Sequence, residues 1–475
     1  MRAIAEPHAL FPSQGAIRIL SARFPAGSML PLLRSLCWLY VPSERLRSSV
    51  PLLVSPHLTY IQLHFMDNSP EHCLPVVRTL TNAAGSLKSI ELVPEFDTAE
   101  MQDAVSALLL SCNPNLLHNF CVASPISEAA LLHAAQIPGL RRFSLRSGTP
   151  ALSDPLPLTM FPSLESLLIS VGDLFVWLEI LRHIQSKQLK ILSVDFEDSD
   201  DGSPPRDNNP LPTILTHLQH SEIHKTLTEL SLCPGSQWGI NRISIEPLLV
   251  LRELTSLTIY TSCQDDRCLF SLSDRDLEHL VKAMPKLETL SLGVPCAKQM
   301  HDNLTLKSLI AIARYCKALK TLRMHINCES IVMNTRDRNL PDDSFTMIPS
   351  DYEGCQLRFA TFGPCPIPFD SEGALLVAMT LLHLFPQLHE VRWTALETIF
   401  PWSYVKTLIA EHSLVRLNLA RFGESSKCVA EELRSPHRSK STTYSCVNHL
   451  LRHTFSFYMY HRPSFYPYLY LVPRL

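Results

Sequence analysis

The sequence predicts an α/β solenoid, in which short parallel strands line one face and helices line the other. The first observation is the stretch 285–293, which reads PKLETLSLG. Counted from Leu287 as position 1 of the repeat, leucines stand at positions 1, 4 and 6. It directly follows the segment 274–284, whose apolar residues have the spacing of a helix. Positions 4 and 6 lie on the same face of an extended strand. One such unit cannot bury that face alone, so stacked copies are required.

The second observation is that the apolar triplet recurs along most of the chain, at steps of 23 to 38 residues. The triplets begin at Leu33, Leu58, Leu87, Leu117, Leu140, Leu164, Leu189, Leu227, Leu254, Leu287, Leu319, Leu357, Leu388 and Leu414. Most steps lie inside or just above the 20–29 residues of leucine-rich repeats. We therefore predict a leucine-rich-repeat horseshoe, with parallel strands on the concave face and helices on the convex face. The repeats are irregular, because only Asn327 and Cys365 supply the Asn or Cys expected at position 9.

Segments between the triplets have an apolar period of about 3.6 residues, which predicts helices. These segments are 99–110, 126–136, 173–184, 305–315, 371–384 and 403–411. Three regions follow from the pattern: an N-terminal cap or remnant at 1–28, about fourteen repeats at 29–422, and a tail at 423–475. We expect the tail to be poorly ordered. A terminal cap is the alternative, and nucleic-acid contact through its aromatic run is a further one.

Composition excludes several classes of function. Lys and Arg total 42 against 45 for Asp and Glu, and the net charge of −3 offers no global attraction to nucleic acid or an anionic membrane. We expect neither as a partner, although a local basic patch stays open. The 14 cysteines include no Cys-x-x-Cys pair, which disfavours zinc and predicts reduced thiols in the cytoplasm or nucleus. The N-terminus lacks a signal-peptide pattern, and no run of eighteen uncharged apolar residues occurs.

Sequence motifs give no indication of catalysis. The chain contains no nucleophile elbow, phosphate-binding loop, dinucleotide fingerprint or metalloprotease helix. The acidic stretch 195–210 does not fit a calcium loop, because Asn208 stands where a bidentate Glu is needed. We predict a protein that is not an enzyme and has neither a cofactor nor a metal.

A binding surface is the better candidate. Positions 3, 5 and 7 of each strand project away from the buried leucines and are largely small and polar, with many Ser and Thr. Larger groups stand among them, and the types that most often anchor interfaces are Tyr and Arg. The predicted protein-binding residues are Arg142, Arg146, Tyr260, Arg323, His325 and Arg392. Glu229, Glu390 and Arg416 occupy similar positions.

The irregular repeats and two stretches, LPLLRSLCW at 30–38 and FPSLESL at 161–167, resemble fungal F-box leucine-rich-repeat proteins. The resemblance covers about 30–422, and the F-box itself is not seen before Leu30. It implies the substrate-recognition part of a ubiquitin-ligase subunit, with a protein substrate on the concave face. It also implies the Skp adaptor and a cullin as partners if an F-box exists upstream. The alternative is a free-standing repeat scaffold or a GTPase-regulating repeat protein.

Overall fold

The computed structural model describes residues 3–4, 14–25, 29–41, 43–65, 69–93, 98–145, 156–157, 159–171, 174–196, 211–233, 240–260, 270–293, 304–328, 354–363, 371–393 and 403–413. Packing divides the chain into two units, Met1–Ser413 and Leu414–Leu475, and all the described residues belong to the first.

Fourteen strands of the described residues form one sheet, in which each strand is parallel to the next in chain order. They are β1 (Ala3–Ile4), β2 (Ser35–Val41), β3 (Tyr60–Phe65), β4 (Ser89–Val93), β5 (Asn119–Val122), β6 (Arg142–Leu145), β7 (Ser166–Val171), β8 (Ile191–Phe196), β9 (Glu229–Cys233), β10 (Ser256–Ile259), β11 (Thr289–Leu292), β12 (Thr321–Met324), β13 (Phe359–Phe362) and β14 (Glu390–Trp393).

Helices connect most of these strands. They are α1 (Gln14–Arg23), α2 (Ser43–Leu53), α3 (Pro70–Thr81), α4 (Ala99–Leu110), α5 (Glu128–Gln136), α6 (Leu174–His183), α7 (Leu211–His220), α8 (Arg242–Ile245), α9 (Asp274–Ala283), α10 (Leu306–Tyr315), α11 (Ser371–Leu384) and α12 (403–413). Short 3₁₀ turns occur at Ala84–Ser86, Glu222–Lys225 and Glu246–Val250. Consecutive helices pack side by side, as α2 does with α3 and α9 with α10.

This architecture confirms the predicted α/β leucine-rich-repeat solenoid. Thirteen of the predicted triplets lead into or lie in β2–β14, and the triplet that begins at Leu414 lies outside the described residues. The predicted helices at 99–110 and 371–384 coincide with α4 and α11. The periodicity analysis missed α1, α2, α3, α7 and the short α8. Of these, α2 and α3 contain Pro51 and Pro75, residues that ordinarily interrupt a helix.

The register of the sheet aligns equivalent positions of neighbouring repeats. Leu257 of β10 pairs with Leu290 of β11, which pairs with Leu322 of β12. These three side chains are fully buried, as positions 4 and 6 of the repeat require. The core therefore lies between the sheet and the helices as one continuous apolar layer.

A row of hydroxyl groups bonds the backbone where each repeat leads into its strand. The Ser55 hydroxyl donates to the backbone oxygen of Leu33 over 2.8 Å, and Ser186 donates to that of Leu164 over 2.6 Å. Thr226 does the same to the oxygen of Leu189, over 2.8 Å. Each bond satisfies the carbonyl of the first leucine in the preceding repeat. The repeats remain regular in space although the Asn is missing from their sequence.

Aromatic rings add local packing beneath the middle of the sheet. Phe143 lies between Phe120, with ring centroids 6.2 Å apart, and Phe161, with centroids 5.2 Å apart. All three side chains are fully buried. Phe161 has a φ of 51°, a left-handed conformation that is costly for a residue other than glycine. Its buried ring and the bond from its N–H to the Ala135 oxygen hold it there.

Candidate binding face

The outward face of the sheet presents positions 3 and 5 of each repeat in aligned columns. In β4 and β5 the residues alternate between half-buried and buried, as a sheet with one covered face requires. The position-3 column includes the pair Ser256 and Thr289, and the position-5 column includes Thr258 and Ser291. Neighbouring members of a column are one strand spacing apart, about 4.8 Å.

Arginine and an exposed aromatic ring meet at the C-terminal end of this face. We define the C-terminal patch as Arg323, Phe359, Thr361, Glu390 and Arg392. Arg323 pairs in register with Thr361, and Thr361 with Arg392, so the two arginines are two strand spacings apart, about 10 Å. Phe359 stands beside Glu390 and is 47% exposed. The Arg392 Nε donates to Glu390 Oε1 over 2.6 Å.

A second polar group lies at the N-terminal end, where the side chains bond to one another. We define the N-terminal network as Cys37, Tyr60, Gln62, His64 and Glu91. The Tyr60 hydroxyl and the Cys37 thiol both donate to Gln62 Oε1, over 2.9 and 3.2 Å. The Gln62 amide donates to Glu91 Oε1 over 3.0 Å, and His64 Nε2 lies 3.1 Å from that oxygen.

The carboxylate of Glu91 makes the N-terminal network electronegative. Burial raises the pKa of the Tyr60 phenol, and the nearby charge of Glu91 raises it further. Burial and then Glu91 also raise the pKa of the Cys37 thiol. Both groups therefore stay protonated and act as hydrogen-bond donors, which suits the bonds they make to Gln62.

The predicted binding residues do not all lie together. Arg142 is exposed at position 3 of β6, six strand spacings or about 29 Å from Arg323. Arg146 and Arg416 lie outside the described residues. Arg323 and Arg392 are exposed in the C-terminal patch, as the positional argument predicted.

Tyr260 and His325 occupy position 7, at the end of their strands. Tyr260 is half-buried, but His325 is 2% exposed, whereas the prediction placed it outward. Its ring fills the space over Gly363, where an added Cβ would lie 1.9 Å from His325 Cε1. On the other side lies Gly293, which has a φ of 70° and where an added Cβ would lie 3.6 Å from His325 Cδ2. His325 thus packs between two glycines of adjacent repeats and is not an exposed contact.

Sequence reasoning missed Phe359 and the N-terminal network. The signal was available, because Phe359, Tyr60, Gln62 and Glu91 all occupy positions 3 or 5 of their triplets. A search for Tyr and Arg alone passes over a Phe at an outward position. It also cannot tell that five polar residues from three repeats would bond together.

The described residues give no sign of a reactive centre. Among them, no group of three or more His, Cys, Asp or Glu side chains is placed to hold a metal ion. Burial raises the pKa of the Cys112 and Cys316 thiols to about 12 and that of Cys355 to about 11. Such thiols are poor nucleophiles at neutral pH. No helix in the described ranges is long and apolar enough to cross a membrane.

Comparison with known proteins gives only a structural likeness. No protein-family model matches the chain. No curated protein matches it. Among solved structures, it is similar to the leucine-rich repeat-containing protein LegL7 from Legionella pneumophila, at 11% identity and a TM-score of 0.34. That alignment covers 80% of this chain and 98% of the other. The assignment of the fold rests on the strand register and burial of this chain itself.

Proposed function

We propose that this chain is a non-catalytic protein-binding scaffold and that the outward face of its sheet is the recognition surface. One observation carries the proposal. The register of thirteen consecutive strand pairs holds outward side chains in fixed columns, with an exposed Phe between two exposed Arg at one end. Rigid strands position contact residues more accurately than loops do.

The C-terminal patch has the composition of an interface anchor. Aromatic residues and arginine are enriched at the centres of protein interfaces, and truncating them commonly has the largest effect on binding. Phe359 offers apolar area, and Arg323 and Arg392 offer donors for carboxylates on either side. The partner segment that fits this arrangement has an apolar side chain between two acidic groups.

Small side chains beside the patch support the same function. Ser231 and Thr258 are part-exposed at position 5 of β9 and β10, where larger residues would keep a partner away from the backbone. Ser291 of β11 is only 1% exposed. A partner can therefore lie close to the sheet at β9 and β10 as well as at the patch. Contact over several repeats favours an extended or broad protein surface over a small molecule, since specific protein interfaces bury about 800 Å² on each side.

On the resemblance alone, we further propose that the bound protein is a ubiquitin-ligase substrate. In that case the scaffold would work by holding the substrate near a ubiquitin-charged enzyme, which raises its effective concentration. The Skp adaptor and a cullin would be partners through an F-box in the same polypeptide. The location expected for such a complex is the cytoplasm or the nucleus.

Affinity purification of the tagged chain from its own cell extract, followed by mass spectrometry, tests the proposal. The matched variants are the triple change R323A/F359A/R392A and the control M379A, which removes a side chain of α11 that is 49% exposed. We expect a stable partner with the wild type and the control, and its loss with the triple variant. A partner retained equally by all three chains would overturn the assignment of the patch.

The same experiment tests the ligase hypothesis separately. Recovery of the Skp adaptor and a cullin would support it. A different stable partner, recovered without either of them, would overturn the ligase role while leaving the scaffold function in place.

A further inference from the structure

Positive charge concentrates along one edge of the sheet, where the turns lead into the strands. All the strands are parallel, so the turns that lead into them lie along the same edge. We define the pre-strand turn of each described repeat as the two residues before its first leucine, that leucine and the next residue. The turns hold eleven of the 42 lysines and arginines but only three of the 45 acidic residues.

All eleven cations are exposed. They are Arg34, Lys88, Arg141, Lys187, Lys190, Lys225, Arg252, Lys286, Lys317, Lys320 and Arg358. The three acidic residues are Glu165, Glu253 and Glu288. We call these eleven cations the basic edge. Its charge contrasts with the net charge of −3 on the whole chain, so it could not be read from overall composition.

The backbone holds the basic edge in a regular row. The N–H of Lys320 donates to the backbone oxygen of Glu288 over 2.8 Å, and the N–H of Arg358 donates to that of Lys320 over 3.0 Å. The same bond recurs from repeat to repeat, for example from Lys88 to Thr59 over 2.7 Å. Cations in adjacent repeats are therefore about 5 Å apart at their backbones.

Ion pairs within the row neutralise only part of it. Glu165 lies 3.7 Å from Arg141 and 3.6 Å from Lys190, so one carboxylate is shared by two cations. Lys320 pairs with Glu288 over 2.6 Å, and Lys286 pairs with Glu253 over 2.5 Å. Lys225 pairs with Glu222, which lies just before its turn, over 2.7 Å. These pairs are solvent-exposed and hold little free energy, so a partner's carboxylates can compete for the same cations.

We propose that the basic edge binds an extended acidic segment of a partner protein, at a surface separate from the outward face. Charge complementarity favours an anionic partner. The pre-strand turns contain no Phe, Tyr or Trp, so they offer no platform for stacking bases, which single-stranded nucleic acids ordinarily use. Seven of the eleven cations are lysines, whereas Arg is preferred for bidentate hydrogen bonding to phosphate.

The carboxylates in the row also favour a polypeptide. A nucleic-acid backbone carries a charge at every phosphate and would meet Glu165, Glu253 and Glu288 along the edge. An acidic protein segment can place neutral residues at those points. A membrane surface would need apolar groups to insert as well, and only Leu32 among the residues of the pre-strand turns is a largely exposed apolar side chain, at 80%.

Binding of a fluorescein-labelled deca-glutamate peptide to the full chain, followed by fluorescence anisotropy, tests the proposal. The edge variant K317Q/K320Q/R358Q removes three neighbouring cations of the basic edge. The control R78Q/R275Q/K307Q removes three exposed helical cations and changes the net charge equally. We expect the edge variant to weaken binding about tenfold, and the control to change it less than about twofold. The affinity of the wild type should fall as salt increases.

Three results would overturn the proposal. One is an equal loss in the edge variant and the control, which would mean nonspecific charge attraction. The second is tighter binding of an oligothymidylate or of phosphatidylserine vesicles than of the peptide at the same salt. The third is salt-sensitive self-association of the chain, without binding of the peptide. The variant R323A/F359A/R392A should weaken binding of the peptide less than the edge variant does, while it abolishes binding of the partner isolated with the wild type. Failure of the proposed recognition face and failure of the basic edge are therefore distinguishable.

Discussion

The two ends of the outward face use the same strand positions in different ways. In the N-terminal network, Gln62 and Glu91 bond to neighbours, and each polar group has a partner within the face. In the C-terminal patch, Phe359 and Arg323 are exposed. Polar groups that satisfy one another stabilise the repeat, whereas exposed ones are available to a partner. The position within a repeat sets the direction of a side chain, and its neighbours in adjacent repeats decide what it does.

The turns beneath these regions differ as well. In the N-terminal part, the hydroxyls of Ser55 and Ser86 donate to backbone oxygens of the preceding repeat, over 2.8 and 2.7 Å. In the C-terminal part a thiol takes this place in one repeat, because Cys355 Sγ donates to the oxygen of Leu319 over 3.7 Å and to that of Cys316 over 3.1 Å. Hydroxyls do not titrate in the accessible pH range and thiols do. This turn should therefore make the C-terminal repeats sensitive to alkali.

The largest expected effect is the loss of free energy of unfolding at alkaline pH. Burial raises the pKa of Cys316 to about 12 and that of Cys355 to about 11, so the folded state keeps these protons when the unfolded state releases them. Their stabilisation is complete below about pH 9 and is lost as pH rises toward 11–12. Each thiol lowers the free energy of unfolding by about 1.4 kcal/mol at pH 10 relative to pH 8.

Urea unfolding at pH 8 and pH 10 measures this effect. The double variant C316A/C355A should lose about 3 kcal/mol less than the wild type between the two pH values. The N-terminal variant S55A should keep the wild-type dependence on pH, whatever its stability at pH 8. An unchanged dependence in C316A/C355A would show that these thiols do not differ between the folded and unfolded states.

The next largest effect is expected on the affinity for the partner, which should depend on the C-terminal patch and much less on the N-terminal network. Removing the exposed ring in F359A should weaken binding of the partner isolated with the wild-type chain by about 2 kcal/mol, or about thirtyfold. Q62A, in the N-terminal network, should change the affinity less than about threefold. Calorimetric titration gives both values. The opposite ranking would move the recognition site to the N-terminal network and contradict the contrast between the two ends.

For the free energy of unfolding, we expect the N-terminal network to matter more than an exposed outward residue. E91A removes the acceptor shared by Gln62 and His64 and should lower the free energy of unfolding by about 1 kcal/mol. The control E229A removes a carboxylate that is exposed at position 3 of β9, and its effect should stay within about 0.5 kcal/mol. Chemical denaturation measures both. Equal effects would mean that the bonds of Glu91 contribute no net stability.

The sequence was sufficient to predict the fold because the spacing of the leucines in each repeat determines how its strand aligns with the next. A triplet such as Leu287, Leu290 and Leu292 marks the start of a strand, its buried face and, by repetition, its neighbours. The prolines of α2 and α3 concealed two helices, since propensity argues against a helix where tertiary packing imposes one. The Ser and Thr bonds to the first leucine of the preceding repeat were not predictable, because they join residues more than twenty positions apart.

The candidate site was predictable only as a set of outward positions. Arg323 and Arg392 were found because position 5 points away from the core. His325 was expected at the same face, but its ring occupies the space that a side chain at Gly363, in the next repeat, would fill. Whether an outward residue is exposed, bonded or buried is decided between repeats, and the pattern within one repeat does not contain that information.

The smallest expected effect is on the free energy of unfolding when the C-terminal patch is changed. It tests whether the patch, unlike the N-terminal network, contributes little to stability. Glu390 and Arg392 form its only ion pair among the described residues, with side chains 34% and 70% exposed. Because water screens such a pair, E390Q should change the free energy of unfolding by less than about 0.5 kcal/mol. The same variant frees Arg392 and should tighten binding of an acidic partner at low salt. If denaturation instead showed a loss as large as that of E91A, the pair would be part of the fold, and the two ends would differ in partner chemistry alone.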